Sequence, residues 1–278
     1  MKNHLEEYLL NKIELNQKMP FSEFMNQSLY HPDYGYYTNK ATIFGDQGDF
    51  ITSPITSSTF GECISNEFIN IIRSQKTSSI LELGGGDGSL AISILKYLKK
   101  NKSLPDKYII LEISENLINY QKERVKKELP DDYNIFKWVT NLEEVKINGL
   151  VIANEFFDAI PTERFRMKNS KLETLYIESN NQSFNYIWDE SSDDFANELS
   201  RAKNNHNIDF SDGYISELNL NNSKWINLIN KCVESGVLFI IDYGYHSQEY
   251  FLQDRSDGTL VCIHQHKSNF DPLSNIGN

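Results

Sequence analysis

The run Ile80-Leu81-Glu82-Leu83-Gly84-Gly85-Gly86-Asp87-Gly88 constrains this chain more than any other stretch. An apolar segment with strand character ends in glycines. A helical pattern follows at once, with Leu90, Ala91, Ile94, Leu95 and Leu98 on one face. In such a strand–turn–helix unit the glycines let the backbone turn tightly and approach a ligand closely. The helix N-terminus adds free N–H groups and a partial positive charge. A dinucleotide site asks for G-x-G-x-x-G with a phosphate on the helix end. Here the glycines fall at 84, 86 and 88, and Ser89 holds the place of the third glycine. The run therefore reads Glu82-x-Gly84-x-Gly86-x-Gly88.

The rest of the pattern is doubly wound. Strands are expected at 79–83, at 108–111 ending on Glu112, at 135–139, at 150–153 ending on Asn154-Glu155, and at 237–241 ending on Asp242. Their near-continuous apolar runs are those of strands buried on both faces. Helices alternate with them, one capped by Ser114, another capped by Ser223 and terminated by Gly236. The fold class is α/β, a parallel sheet with helices on both faces. Upstream, residues 3–30 read as two short helices separated at Pro20, and a further helix runs from about Pro54 to Arg73. Between strands four and five, residues 162–220 read as a small β-rich insertion with a polar, mobile connector. The expected organisation is 1–75 as an N-terminal helical extension, 76–161 with 221–278 as the Rossmann-like domain, and 162–220 as the insertion.

A formal charge of −12 and a pI of about 5.0 disfavour nucleic acid and anionic membranes as partners and suit a basic protein substrate. Cys63, Cys232 and Cys262 are far apart and form no C-x-x-C pair, which argues against a disulfide framework or zinc site and for a reducing compartment. The N-terminus lacks the apolar core of a signal peptide and is too acidic for a transit peptide; no stretch has the length of a membrane span. The expected location is cytoplasmic.

In open α/β sheets, ligands sit at the carboxyl ends of the strands. Glu112 stands about two dozen residues past the glycines, where an acid accepts hydrogen bonds from ribose hydroxyls. Nicotinamide sites use the same position, so Glu112 indicates a nucleoside without choosing between cofactors; a helix-initiating acid is the plainer alternative. Asp158 likewise reads either as a functional carboxylate or as a helix N-terminal charge. His264-x-His266, with Asp271 nearby, has the look of a metal pair, but a lone H-x-H is weak and structural or substrate-side roles are favoured; no metal is expected.

The glycine run resembles the first motif of class I S-adenosylmethionine (SAM) methyltransferases. More widely, the chain resembles the MidA-like SAM-dependent methyltransferases, whose mitochondrial members assist assembly of respiratory complex I. The matching stretches are Phe24-Met25, Leu29-Tyr30-His31-Pro32, Gly35-Tyr36-Tyr37, Gly48-Asp49-Phe50-Ile51-Thr52-Ser53 and Phe60-Gly61. They continue through the glycine run, Glu112-Ile113-Ser114 with Leu117 and Gln121, Ala153-Asn154-Glu155-Phe156-Phe157-Asp158-Ala159 with Pro161, Glu217 with Trp225, Asp242-Tyr243-Gly244-Tyr245, Gly258-Thr259-Leu260, His266 and Asp271-Pro272-Leu273.

The resemblance implies SAM as methyl donor and a protein arginine as acceptor, in the mitochondrial case on a complex I subunit. It assigns Glu82, Gly84, Gly86, Gly88, Glu112 and Ile113 to the cofactor, with the Gly48-Asp49-Phe50 loop closing over it. It places the acceptor at Asn154, Glu155 and Asp158, and gives Glu217, His266 and Tyr243 substrate-side roles. Carboxylates there pair with a guanidinium, orient it and take its proton. Two departures stand out. Gly85 and Asp87 occupy positions where many members carry Pro and Arg, which bears on cofactor affinity. Family members also continue past Asp-Pro-Leu into terminal strands, so a chain stopping at Asn278 reads as truncated. Two rival readings remain: an assembly factor that keeps the fold but works by binding, and a nicotinamide-dependent oxidoreductase, which Ser89 disfavours.

Overall fold

The computed structural model describes residues 3–39, 57–72, 78–264 and 266–277. In chain order the elements are α1 (His4–Asn16), β1 (Lys18–Pro20), α2 (Phe21–Tyr30), α3 (Tyr36–Asn39) and α4 (Ser58–Ile72). Then come β2 (Ser79–Leu83), α5 (Ser89–Lys100), β3 (Lys107–Leu111), α6 (Glu115–Glu128), β4 (Phe136–Val139) and β5 (Ile147–Asn154). The insertion carries β6 (Glu163–Lys168), β7 (Lys171–Asn180), β8 (Ser183–Glu190), α7 (Asp193–His206) and β9 (Ile215–Leu218). The last elements are α8 (Asn222–Cys232), β10 (Val233–Ile241), α9 (Ser247–Tyr250), β11 (Cys262–His264) and β12 (Lys267–Asn269).

The chain forms two compact units, one of residues 37–159 with 225–242 and the other of 1–36, 160–224 and 243–278. This division differs from boundaries at 75, 161 and 220. Residues before 37 share a core with the insertion, and so do residues after 242, because their apolar side chains meet on the insertion's sheet.

The first unit holds a parallel sheet in the order β10-β5-β2-β3-β4. The chain runs outward from β2 through β3 to β4, then returns to β5 and β10 on the other side of β2. The order therefore reverses between β2 and β5, the point at whose carboxyl ends open α/β sheets take their ligands. Side chains alternate along the strands, as a strand's period of two demands. Ile80, Tyr108, Ile110, Leu150 and Ile152 pack with Phe68 of α4, the apolar face of α5 and Val125 of α6. Leu81, Leu83, Ile109, Val151 and Ala153 pack with Ile229 and Cys232 of α8. Both faces of β2, β3 and β5 are covered, as strands inside a parallel sheet require.

Three local expectations change. Ser223 lies inside α8, which begins at Asn222. Gly236 does not end that helix; it lies within β10, paired with Gly149, where a Cβ would sit 2.0 Å from the Gly149 carbonyl oxygen. And β10, expected to be buried on both faces, has β5 as its only strand partner among the described residues and leaves Val237 and Ile240 exposed. An apolar run does not distinguish an edge strand from a central one.

In the second unit, β7 pairs antiparallel with β1, β6 and β8, and β6 with β9. Leu5, Leu9 and Ile13 of α1 and Phe21 and Phe24 of α2 pack on Leu175 and Ile177 of β7. The polar stretch expected to be a mobile connector contains α7, N-capped by Ser192, with Phe195 and Leu199 buried at helical spacing against Phe165 and Tyr214.

Candidate functional site

The glycine loop begins where β2 ends. The Gly84 amide donates to the Leu111 carbonyl at 2.9 Å, and the Gly88 amide to Gly85 at 2.8 Å. Gly84, Gly86 and Gly88 have φ of 69°, 53° and 80°, left-handed values that favour glycine. A Cβ at Gly85 would lie 2.7 Å from Ile110 Cγ2, so this position is fitted to a glycine here. Asp87, the other departure from the family pattern, is engaged locally. Its carboxylate accepts from the Ser89 amide at 2.9 Å and hydroxyl at 2.7 Å, and it pairs with Arg124, which also donates to the Asp87 carbonyl at 2.7 Å.

Glu82 is buried beneath this loop and accepts a 2.8 Å hydrogen bond from the Tyr108 hydroxyl. Burial pushes its carboxyl up to about 8 against the Tyr108 bond, and Asp87 and Glu112 add repulsion. At the end of β3, Glu112 is 7% exposed. Its Oε1 accepts from the Ile113 and Ser114 amides at 2.9 and 3.0 Å, and its Oε2 faces Gln121 Nε2 at 3.4 Å. Burial raises the Glu112 carboxyl above its ordinary range while the two amides and Gln121 oppose the rise. Ile113 beside it is half exposed.

Across the reversal point, β5 ends at Asn154 and Glu155 turns the chain with a φ of 48°. The Glu155 amide donates to Ile241 of β10 at 2.8 Å. Asp242, one residue further, accepts from the Phe157 and Asp158 amides at 2.9 and 3.1 Å. Phe156 packs edge-on against Trp225 at 4.9 Å. A Cβ on Gly84 would stand 3.4 Å from Phe156 Cδ2, so the glycine loop and the 154–158 turn are neighbours. Desolvation, then Asp158 and Asp242, raise the Glu155 carboxyl. Asp158 is exposed on its outer side, yet desolvation by the surrounding chain and the Asp242 charge push it up to about 6.

The structure thus brings Glu82, Gly84, Gly86, Gly88, Glu112, Ile113, Asn154, Glu155 and Asp158 to the carboxyl ends of β2, β3 and β5 within one unit. Gly48, Asp49 and Phe50 lie outside the described residues. Glu217, Tyr243 and His266 belong to the other unit. There Glu217 is buried and occupied by Arg164 Nε at 2.9 Å, the Thr259 amide at 2.8 Å and the Tyr250 hydroxyl at 3.5 Å. His264 ends β11 while His266 sits in the following turn with a φ of 58°, so the two are not alternate residues of a strand. Among the described residues no group of three His, Cys, Asp or Glu side chains is placed to hold a metal.

Sequence reasoning missed two contributors. Tyr37, in the aromatic turn, feels Asp158, Glu155 and Glu112 together, and burial with those charges holds its hydroxyl far above the ordinary range. Its segment is tied to α6 by Asn116 Nδ2 donating to the Thr38 carbonyl at 2.9 Å. Gln121, which the sequence places on a helix face and among the residues matching the family without giving it a role, lies under the glycine loop.

A parallel, doubly wound sheet with a left-handed glycine loop and an acid at the end of the next strand defines the Rossmann-like class of α/β protein. Residues 63–278 match the family described as "Putative S-adenosyl-L-methionine-dependent methyltransferase", and the chain belongs to that family. It is 28% identical over 302 residues to the mitochondrial protein arginine methyltransferase NDUFAF7 homologue of Drosophila melanogaster, which covers 98% of this chain and 66% of the fly protein. It is 31% identical to the mitochondrial protein arginine methyltransferase NDUFAF7 of Xenopus laevis, over 59% of this chain and 43% of that one. The chain thus spans less than two thirds of these relatives. Among solved structures, a superfamily member from Burkholderia thailandensis bound to S-adenosyl-homocysteine matches with a TM-score of 0.90 and 27% identity, over 98% of this chain and 70% of the other. A native crystal structure of a superfamily protein from Burkholderia thailandensis gives 0.86 and 26% over the same shares.

Proposed function

We propose that this chain binds SAM and transfers its methyl group to an arginine nitrogen of a protein partner. The observation that carries the reading is the closeness of Gly84 to Phe156, which sets the glycine loop beside a turn bearing Glu155 and Asp158. The cradle fits the cofactor. Three left-handed glycines suit close approach of its amino-acid end, and Glu112, with Oε1 held by two amides, has lone pairs left on Oε2 beside Gln121 to accept from a ribose diol. Bound there, the cofactor supplies an electrophilic sulfonium methyl group.

The protein's part is alignment, charge and proton handling. Glu155 feels the charges of Asp158 and Asp242, and Asp158 that of Asp242, an excess of negative charge that a guanidinium relieves. The attacking nitrogen forms its bond to carbon as the carbon–sulfur bond breaks, and the electron pair stays on sulfur. The nitrogen then sheds a proton. A carboxylate raised to about 6 is ionised at neutral pH and is more basic than an ordinary aspartate, which suits Asp158 to accept that proton. A complex I subunit is the acceptor that the MidA-like resemblance suggests, and the mitochondrial arginine methyltransferases at 28–31% identity support an arginine target. Widely spaced free cysteines agree with a reducing compartment.

The test is titration calorimetry with S-adenosylhomocysteine and NAD, followed by transfer of labelled methyl from SAM to arginine-bearing subunit fragments. Binding with transfer upholds the reading. Binding without transfer to any arginine substrate favours an assembly factor, and preference for NAD overturns it.

A further inference from the structure

Gln121 is completely buried on α6, unusual for an amide. Its orientation is dictated by its neighbours. Trp138 Nε1 can only donate, and it does so to Gln121 Oε1 at 2.8 Å. Nε2 therefore points the other way, donating to the Gly86 carbonyl at 2.9 Å and, more loosely, toward Glu112 Oε2 at 3.4 Å. The amide has two hydrogens on that nitrogen and two acceptors facing it. The loop also rests on the same side chain: a Cβ at Gly85 would lie 3.2 Å from Nε2, and one at Gly88 3.5 Å from Cγ.

We propose that Gln121 is the positioning residue of the cofactor cleft: one buried amide holds the Gly86 carbonyl and the Glu112 carboxylate in fixed relation and keeps that carboxylate available to a ribose diol. The inference rests on the SAM reading above. Without the amide, Glu112 keeps the Ile113 and Ser114 amides on Oε1 but loses the donor beside Oε2. Among the described residues, the titratable groups that face it are Glu82 from β2 and Tyr37 from α3, and neither supplies positive charge. Arg124, on the same helix as Gln121, is committed to Asp87 and Ser89. Gln121 is therefore the side chain that favours the ionised form of Glu112.

The experiment compares the wild type with Gln121→Met, which removes both amide functions, and Gln121→Glu, which keeps the acceptor for Trp138 and, once ionised at the alkaline end, offers no donor. S-adenosylhomocysteine is titrated between pH 5.5 and 8.5. Both variants should bind at least about tenfold more weakly at the alkaline end, and the pH at which affinity falls should rise by about one unit. The Trp138 indole resonance should move in the Met variant and stay near its wild-type position in the Glu variant. In the free proteins, the Glu112 carboxyl followed by carbon NMR should titrate higher in both. Unchanged affinity, unchanged pH midpoint and an unmoved Glu112 titration would overturn the proposal. The last readout needs no ligand. A wild type that ignores S-adenosylhomocysteine while Glu112 still responds to Gln121 would sink the SAM reading and leave the linkage standing. Thermal unfolding reports whether each variant folds; if the Met variant does not, the isosteric Glu variant decides.

Discussion

Each compact unit buries acid, and Glu217 in one is treated unlike the acids near the strand ends of the other. In the unit that contains the insertion, Glu217 is 4% exposed and meets Arg164, itself largely buried, together with Thr259 and Tyr250. In the Rossmann-like unit, Glu82, Glu112, Glu155 and Asp158 are all raised by burial and, for all but Glu112, by one another or by neighbouring acids; among the described residues no lysine or arginine pairs with them. A buried carboxylate with an in-built counterion is architecture. Carboxylates left mutually repelling at strand ends hold a charge imbalance that something from outside must correct. The contrast teaches where to look for function: at uncompensated burial rather than at burial itself.

The largest effect should come from breaking the compensated pair. Arg164→Leu strands Glu217 without its cation and should cost about 3–5 kcal/mol in urea unfolding, and Glu217→Gln in the same background should recover part of it. A loss below about 1 kcal/mol would mean the pair is no more architectural than a surface contact. Next comes the uncompensated turn. A Glu155→Gln, Asp158→Asn double variant should transfer methyl at least about a hundredfold more slowly, and wild-type kcat/KM should fall as pH drops through about 6, where Asp158 takes up its proton. A double variant with the original rate removes both residues from the mechanism.

Glu82 sharpens the comparison through stability. Its carboxyl is raised to about 8 in the folded chain from an unfolded value near 4.5. The folded state therefore holds the extra proton between those limits, and stability is greatest below 4.5 and declines as pH rises toward 8. Between pH 5.5 and 7.5 this amounts to at most about 2.5 kcal/mol. Glu82→Gln, still able to accept from Tyr108, should flatten that slope in urea titrations at the two pH values. The smallest effect is expected at Glu112. Replacing it with Ala should weaken S-adenosylhomocysteine binding by about 2 kcal/mol in calorimetry, and an unchanged affinity would take Glu112 out of the cleft.

How much of this was legible beforehand follows from what local pattern encodes. The strand ending at Leu83, the strand ending before Glu112 and the Ser114 cap all follow from short-range periodicity, and the structure has them within a residue or two. The helix Asp193–His206 did not stand out, because its many Asp, Asn and Ser residues signal a loop by composition. Its two buried residues, Phe195 and Leu199, become informative only once their four-residue spacing is set beside the Ser192 cap. The exposure of Val237 and Ile240 was not legible because edge or centre is decided by which strands pair, not by the strand itself. The same holds for the site. Glu112 and Glu155 announce themselves at strand ends, whereas Gln121 draws its importance from Gly86 and Trp138, 35 and 17 residues away. Glu217 shows the converse: a matching acid that the fold spends on Arg164.

The paired glycines at 149 and 236 bear on how such a sheet diverges over generations. A Cβ at Gly149 would sit 2.3 Å from the Ser79 carbonyl oxygen, and one at Gly236 would sit 2.0 Å from that of Gly149. Three neighbouring strands are thus fused backbone to backbone near their first residues, and neither glycine can compensate for replacement of the other. Both positions should remain glycine across descendants of this fold, since a side chain at either would press on the neighbouring backbone. Inheritance is rigid at the foot of the sheet for reasons of backbone packing alone, apart from whatever the residues at its mouth are kept for.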